Sequence, residues 1–346
     1  MASGKSRTVA NPGETADLHQ RAGRPYNTAM SSLFPPLVAV TGPTATGKSA
    51  LSLRLAEEFG GEIVTADSRQ VYKLMDIGTE KPSPEERARR PHHMIDLIYP
   101  DEAYTLALYQ RGAYATINDI LGRGKLPILA GGTPLYVNAV LEGWTIPEVE
   151  PDLELRATLE AEAASSGPEP LHRRLGAVDP QAAQGILPSN TRRIIRALEV
   201  IALTGRPISE QQDKVPPPYR VLTIVLQCER PELYNRIDQR VDRQIERGLV
   251  DEVASLHARG YGFDLPSMSG IGYRQVGEYL MGRATLDQAI QRIKWDTHAF
   301  SRHQGNWFRR ARTAALIDVT RSDPFPQAQR LVALFLGTPG AEPGRT

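Results

Sequence analysis

The sequence predicts an α/β fold in which a parallel sheet is covered by helices on both faces and carries a helical insertion. Three observations predict it. From Leu37 to Ala130, short apolar runs alternate with stretches of helical period. Between about Pro147 and Pro218 that alternation stops, and helices and prolines appear without a strand pattern. At Tyr219 an apolar run returns. A single core with an insertion accounts for this order more simply than two tandem domains. The expected core is 35–146 with 219–337, the insertion 147–218, and the tails 1–34 (polar, disordered) and 338–346 (loose).

The elements follow in order. Leu37–Thr41 reads as a buried strand that ends in a glycine-rich turn. Lys48–Phe59 places Leu51, Leu55, Ala56 and Phe59 on one helical face. Glu62–Ala66 reads as a second strand and His92–Ile98 as a third. Tyr104–Leu121 is helical, and Leu126–Ala130 is a strand stopped by Gly131-Gly132. In the insertion the clearest helices are Leu153–Ala164 and Arg192–Leu203, and Pro216-Pro217-Pro218 closes the segment. Tyr219–Cys228 is again a strand. Pro231–Arg259 and Thr285–Arg310 read as long charged helices, the second opened by a Thr285/Gln288 capping box. Ala314–Val319 reads as a last strand.

Composition excludes several classes. The 346 residues carry a net charge of +1, so any nucleic-acid site must be a local basic surface. The single cysteine, Cys228, rules out an intramolecular disulfide and any cysteine zinc motif, and its apolar run suits a buried strand thiol better than a reactive one. No apolar stretch reaches the roughly 18 residues of a membrane span, and the first 34 residues lack an apolar signal core. A monomeric cytoplasmic enzyme is expected.

Gly42-Pro43-Thr44-Ala45-Thr46-Gly47-Lys48-Ser49 matches G-x-x-x-x-G-K-[ST] between a strand and a helix. Its amides and the helix N-terminus suit the phosphates of a nucleotide or another diphosphate. Lys48 can reach the terminal oxygens, and Ser49 can ligate Mg²⁺. The fold class is therefore P-loop NTPase-like. A nucleotide-splitting enzyme of this kind usually adds an acid after an apolar strand. Here Leu126–Ala130 runs into Gly131-Gly132-Thr133, and Asp96, after His92, is the one acid that could serve.

Asp67-Ser68-Arg69-Gln70-Val71-Tyr72 follows the second strand, and Asp76-Ile77-Gly78-Thr79 comes soon after. With the phosphate loop, Gly131-Gly132-Thr133-Pro134-Leu135-Tyr136 and Ser269-Gly270-Ile271-Gly272-Tyr273-Arg274-Gln275, these segments resemble the bacterial tRNA dimethylallyltransferase (isopentenyltransferase) family. The resemblance runs from about residue 36 to 320. It implies dimethylallyl diphosphate as donor and, as acceptor, the adenosine just 3′ of the anticodon in tRNA. The adenine N6 amine is a poor nucleophile, so a carboxylate within reach of its proton is needed, and Asp67 at the end of a parallel strand is the candidate. The alternative role for Asp67 is to cap its own turn. Ser68, Arg69 and Gln70 join it as RNA-contact candidates. Lys48 and the loop amides would stabilise the departing diphosphate. Thr133 would orient the target amine, or would cap the helix that starts near Pro134.

The same resemblance makes Arg192-Arg193-Ile194-Ile195-Arg196 an RNA-contact segment, with Arg156 and the 269–274 motif as further contacts. A solvated helix face is the alternative for the arginines, and simple turns for Gly270 and Gly272. Arg240 and Arg243 are expected either to reach the diphosphate or to form ordinary charged surface. In the C-terminal helix, Thr297, Arg302 and Gln304 follow the family, but His298 and His303 stand where basic Arg-type residues are usual. Three other functions compete: prenyl transfer to a free adenine nucleotide (adenylate isopentenyltransferase), a nucleotide kinase, and a non-catalytic P-loop RNA-binding protein. The arginine-bearing insertion argues against a free nucleotide, which needs no such surface. Lys48 and Asp67 together argue against a non-catalytic role.

Overall fold

Six strands, every neighbouring pair parallel, form one sheet in the order β3-β2-β4-β1-β5-β6. The computed structural model describes residues 34–309 and 313–337. The expected tails, apart from Phe34, lie outside the described residues, as does Arg310. The strands are β1 (Pro36–Thr41), β2 (Gly61–Thr65), β3 (His92–His93), β4 (Leu126–Gly131), β5 (Arg220–Gln227) and β6 (Ala315–Asp318). β1 lies at the centre, with Thr41 opposite Gly131 on one side and Val225 on the other.

β1 is apolar at successive positions because both its faces are buried. Leu37 and Ala39 enter one core and Val38 and Val40 the other. The second of these cores is closed by α1 (Lys48–Glu58) and α13 (Phe325–Leu336). The first is closed by α3 (Leu106–Gly122), α4 (Pro134–Glu142), α9 (Arg230–Glu246), α10 (Leu249–Ala258), α11 (Tyr273–Leu280) and α12 (Leu286–Phe308). α2 (Pro84–Arg89) is a short helix opened by a Ser83/Glu86 capping box. The capping box at Thr285 and Gln288 opens α12.

The segment between β4 and β5 contributes α5 (Leu153–Ser166), α6 (Glu169–Val178), α7 (Pro180–Gly185) and α8 (Thr191–Thr204). These helices pack around their own apolar centre of Leu159, Leu171, Leu175, Ile194, Ile195 and Leu198. The chain leaves and re-enters the α/β core side by side, where Thr145 N donates to Asp213 O and Val215 N donates to Gly143 O, each at 2.8 Å.

Two expectations need correction. The third strand is only His92–His93, because Met94 and Asp96 take positive φ of 63° and 54° and turn the chain away. The charged run from Pro231 to Arg259 is two helices, broken at Gly248, whose φ of 94° ends α9 and starts α10.

Candidate active site

The cleft that gathers the chemistry opens at the C-terminal ends of β1, β2 and β4, where open α/β sheets bind their ligands. Its volume is ≈ 110 Å³, and Thr44, Lys48, Ser49, Asp67, Gln70 and Arg240 are among its walls. The loop from Gly42 to Ser49 joins β1 to α1. Gly42 has φ 140°, and a Cβ there would sit 2.5 Å from Leu226 O. Gly47 caps α1 with φ 85°. Ala45 also takes a positive φ, 62°, while Thr46 Oγ1 donates to Pro43 O at 2.8 Å and braces the loop from within.

Lys48 Nζ donates to Pro43 O at 2.6 Å, so the ammonium rests on its own loop. Burial, then the Arg240 guanidinium, push this ammonium down to about 7, against the opposing pull of Asp67. Arg240 comes from α9 and donates to Thr44 Oγ1 at 3.1 Å, while Arg243 is exposed. Gln304 of α12 joins two turns: its Oε1 accepts from Thr44 N at 2.9 Å and its Nε2 donates to Gly132 O at 2.6 Å.

Asp67 follows β2. Its Oδ1 accepts from Arg69 N at 2.9 Å, so the turn-capping role exists, but among the described residues it occupies only that one oxygen. Thr133 precedes α4, yet its side chain does not cap that helix. Its Oγ1 accepts from Ser68 N at 3.0 Å and faces Ser68 Oγ at 3.4 Å, which ties it to the turn carrying Asp67. The Gln70 amide donates to Thr79 O and Glu80 O, both at 3.0 Å. Arg69 reaches Pro266 O at 2.8 Å and Ser269 Oγ at 3.2 Å, so the 67–72 and 269–274 motifs meet.

Several expected RNA-contact residues are engaged otherwise. Ile194 and Ile195 are 0% and 4% exposed and belong to the centre of the insertion, so their side chains present no surface. Arg156 Nε (2.7 Å) and Arg196 Nη1 (2.8 Å) both bond the buried Glu199. Arg192 and Arg193 are exposed. Arg193 and Arg196 line a larger cavity, ≈ 560 Å³, between α4 and the insertion. Gly270 and Gly272 are buried, Ile271 is half-buried, Tyr273 is 1% exposed, and Arg274 pairs with Asp296 at 2.8 Å. Asp96 bonds Lys81 Nζ at 2.5 Å and Arg87 Nη1 at 2.7 Å, which makes it a structural acid and not the acid of a nucleotide-splitting site. On α12, His298 stacks on Tyr234 with ring centres 3.9 Å apart and its Nε2 lies 2.8 Å from Asp238; His303 is exposed.

Gln304 is the residue to which the sequence reading gave no place in the site, and Arg240 is one that it left open between the diphosphate and charged surface. Arg240 and Gln244 are four apart on one face of α9, and both turn toward the cleft loops, a spacing that was present in the sequence.

Fold and site together define a P-loop α/β protein with an anion cradle facing a carboxylate across one cleft. The family model for IPP transferase matches residues 70–311, and that for isopentenyl transferase matches 35–93. The chain is 56% identical over 301 residues to the tRNA dimethylallyltransferase of Roseiflexus sp. (strain RS-1), covering 87% of this chain and 99% of that one. It is 52% identical over 297 residues to the protein of that name from Thermomicrobium roseum, covering 86% and 90%. The crystal structure of the full-length tRNA isopentenylpyrophosphate transferase from Bacillus halodurans is 40% identical, with TM-score 0.64 over 88% of this chain and 96% of that one. A eukaryotic dimethylallyltransferase captured acting on tRNA is 27% identical, with TM-score 0.76 over 90% and 81%. The chain belongs to the IPP transferase family, that of the tRNA dimethylallyltransferases.

Proposed function

We propose that the chain transfers a dimethylallyl group from dimethylallyl diphosphate to N6 of the adenosine 3′ of the anticodon in tRNA, releasing diphosphate. The observation that carries this reading is the single cleft in which a phosphate loop faces Asp67. In the reaction the ester C1–O bond breaks, the N6–C1 bond forms and the N6 proton passes to Asp67. The loop amides, the start of α1, Lys48 and Arg240 take the charge that develops on the diphosphate. The phosphate loop thus serves carbon–oxygen cleavage and not phosphoryl transfer. Thr133 acts through Ser68 on the turn that carries Asp67, and in this reading it helps to orient the adenine amine.

Among the described residues no group of three His, Cys, Asp or Glu could hold a metal ion. A magnesium ion here would take the Ser49 hydroxyl, diphosphate oxygens and water, the donor set that this cation accepts. When bound, it neutralises charge on the leaving group. The exposed Arg192 and Arg193, with the exposed Ser269 and Arg274 of the 269–274 segment, would supply contacts to tRNA. A tRNA acceptor is in keeping with work in the cytoplasm. No described helix is long and apolar enough to cross a membrane.

The test is incubation with labelled dimethylallyl diphosphate and unmodified tRNA, with AMP and ATP in parallel. Label is expected in tRNA. Incorporation into AMP or ATP but not tRNA would establish the free-nucleotide reading instead.

A further inference from the structure

The Asp76-Ile77-Gly78-Thr79 motif has no role in the chemistry above, yet a distant carboxylate holds it. Three successive backbone amides, of Asp76, Ile77 and Gly78, donate to Glu252 of α10 at 2.9, 2.8 and 3.2 Å. The Tyr273 hydroxyl donates to the same carboxylate at 2.6 Å. Consecutive amides turned to one point form a concavity for an anion. Here the anion is a side chain 176 residues from Asp76. Gly78 is the residue this packing demands, since a Cβ there would lie 2.4 Å from the Tyr273 ring.

The segment leads straight into the cleft. Thr79 and Glu80 are among its walls, and their carbonyls accept from Gln70, three residues after Asp67. On the other side, Gln244, one turn along α9 from Arg240, donates to Ile77 O at 3.1 Å. The loop therefore joins the turn of Asp67 to the helix of Arg240, and Glu252 holds its start through three successive amides.

We propose that Glu252 is a positioning residue for the transfer reaction: seated in the amide concavity of 76–78, it sets one wall of the cleft and, through Gln70, the turn that carries Asp67. The proposal rests on the prenyl-transfer reading above. It differs from a purely structural role, in which Glu252 would only fasten α10 to the core.

The test uses the full chain, with kcat and KM for dimethylallyl diphosphate measured at saturating tRNA. Glu252→Ala removes a CH₂–COO⁻ fragment, which acetate can replace in the half-buried concavity. Misplacing reacting groups by about 1 Å can cost about 10²-fold, so kcat is expected to fall by up to that factor. KM for dimethylallyl diphosphate should change little, because the phosphate loop belongs to other elements. Added acetate should restore kcat saturably in Glu252→Ala and leave the wild type unaffected, and chloride at equal ionic strength should restore nothing. Tyr273→Phe, which leaves the carboxylate on its three amides, should lose less.

A folded Glu252→Ala with wild-type kcat, a loss confined to KM, or a loss that acetate leaves untouched would overturn the proposal. If Glu252→Ala does not fold, Glu252→Gln replaces it. The amide turns an NH₂ group against N–H donors, so a lower kcat at unchanged KM is expected, and wild-type kcat would overturn the proposal. A wild type inert toward tRNA in the same assay would instead defeat the proposed function, so the two failures are distinguishable.

Discussion

Lys48 should make the capture of dimethylallyl diphosphate depend on pH well below the ordinary range of a lysine. In the ligand-free protein its ammonium titrates at about 7, pushed there by burial and by Arg240. A bound diphosphate favours the charged form and raises that value, so binding takes up a proton. The sign follows: the productive form is present below about pH 7 and is lost as pH rises. One half of the free protein is competent at pH 7 and about one-hundredth at pH 9, so kcat/KM for the diphosphate falls about 50-fold between them. The substrate's own terminal phosphate ionises near pH 6, so the limb is read above neutrality. The assay is kcat/KM for dimethylallyl diphosphate at saturating tRNA across that range. Lys48→Arg, which stays charged, should flatten the alkaline limb even though its longer side chain weakens binding. Arg240→Gln should move the limb to higher pH by removing one cause of the depression. A wild-type profile that stays level to pH 9 would refute the assignment of Lys48 as a lysine titrating near neutrality.

Asp67→Asn should lower kcat by about 10²–10⁴-fold, as loss of a general base does, while tRNA binding measured by filter retention stays close to wild type; near-normal turnover would remove Asp67 from the mechanism. Arg192→Ala with Arg193→Ala should weaken tRNA binding and lower its salt slope by somewhat under about one unit per lost phosphate contact, with Tm unchanged. Arg196→Ala should behave differently, lowering stability by about 1–3 kcal/mol, because it strips one partner from the buried Glu199; denaturant melts separate the two. Glu62, held down to about 2 chiefly by its bond to Arg123 and also by His93, contributes stability that is present above its ordinary value of 4.5 and is lost as pH falls through about 2. Glu62→Gln should therefore flatten the acid limb of Tm against pH, and an unchanged limb would show that other carboxylates set it.

The sequence alone determined the features whose cause is local. The phosphate loop is eight contiguous residues between an apolar run and an amphipathic helix, so spacing suffices to place Lys48 and Ser49. Strands buried on both faces announce themselves as apolar runs, and Asp67 was placed by following immediately on one of them. The Thr285 capping box needs only residues three apart. Gly248 was also available as a helix break, but the surrounding charged residues disguised it as one continuous helix. The tertiary structure decided what depends on contacts between distant segments. Whether Arg240 or Arg243 faces the phosphate loop is a matter of how α9 docks on it, not of composition. Ile194 and Ile195 left the RNA-contact segment because α5 and α6 close over their face of α8. Arg156 and Arg196 are drawn to Glu199, one of them from another helix. Gln304 bridges Thr44 and Gly132, and Glu252 finds three amides 174–176 residues away. Periodicity and capping report hydrogen bonds within a few residues, whereas these pairings exist only after the sheet, its two helical layers and the insertion have packed.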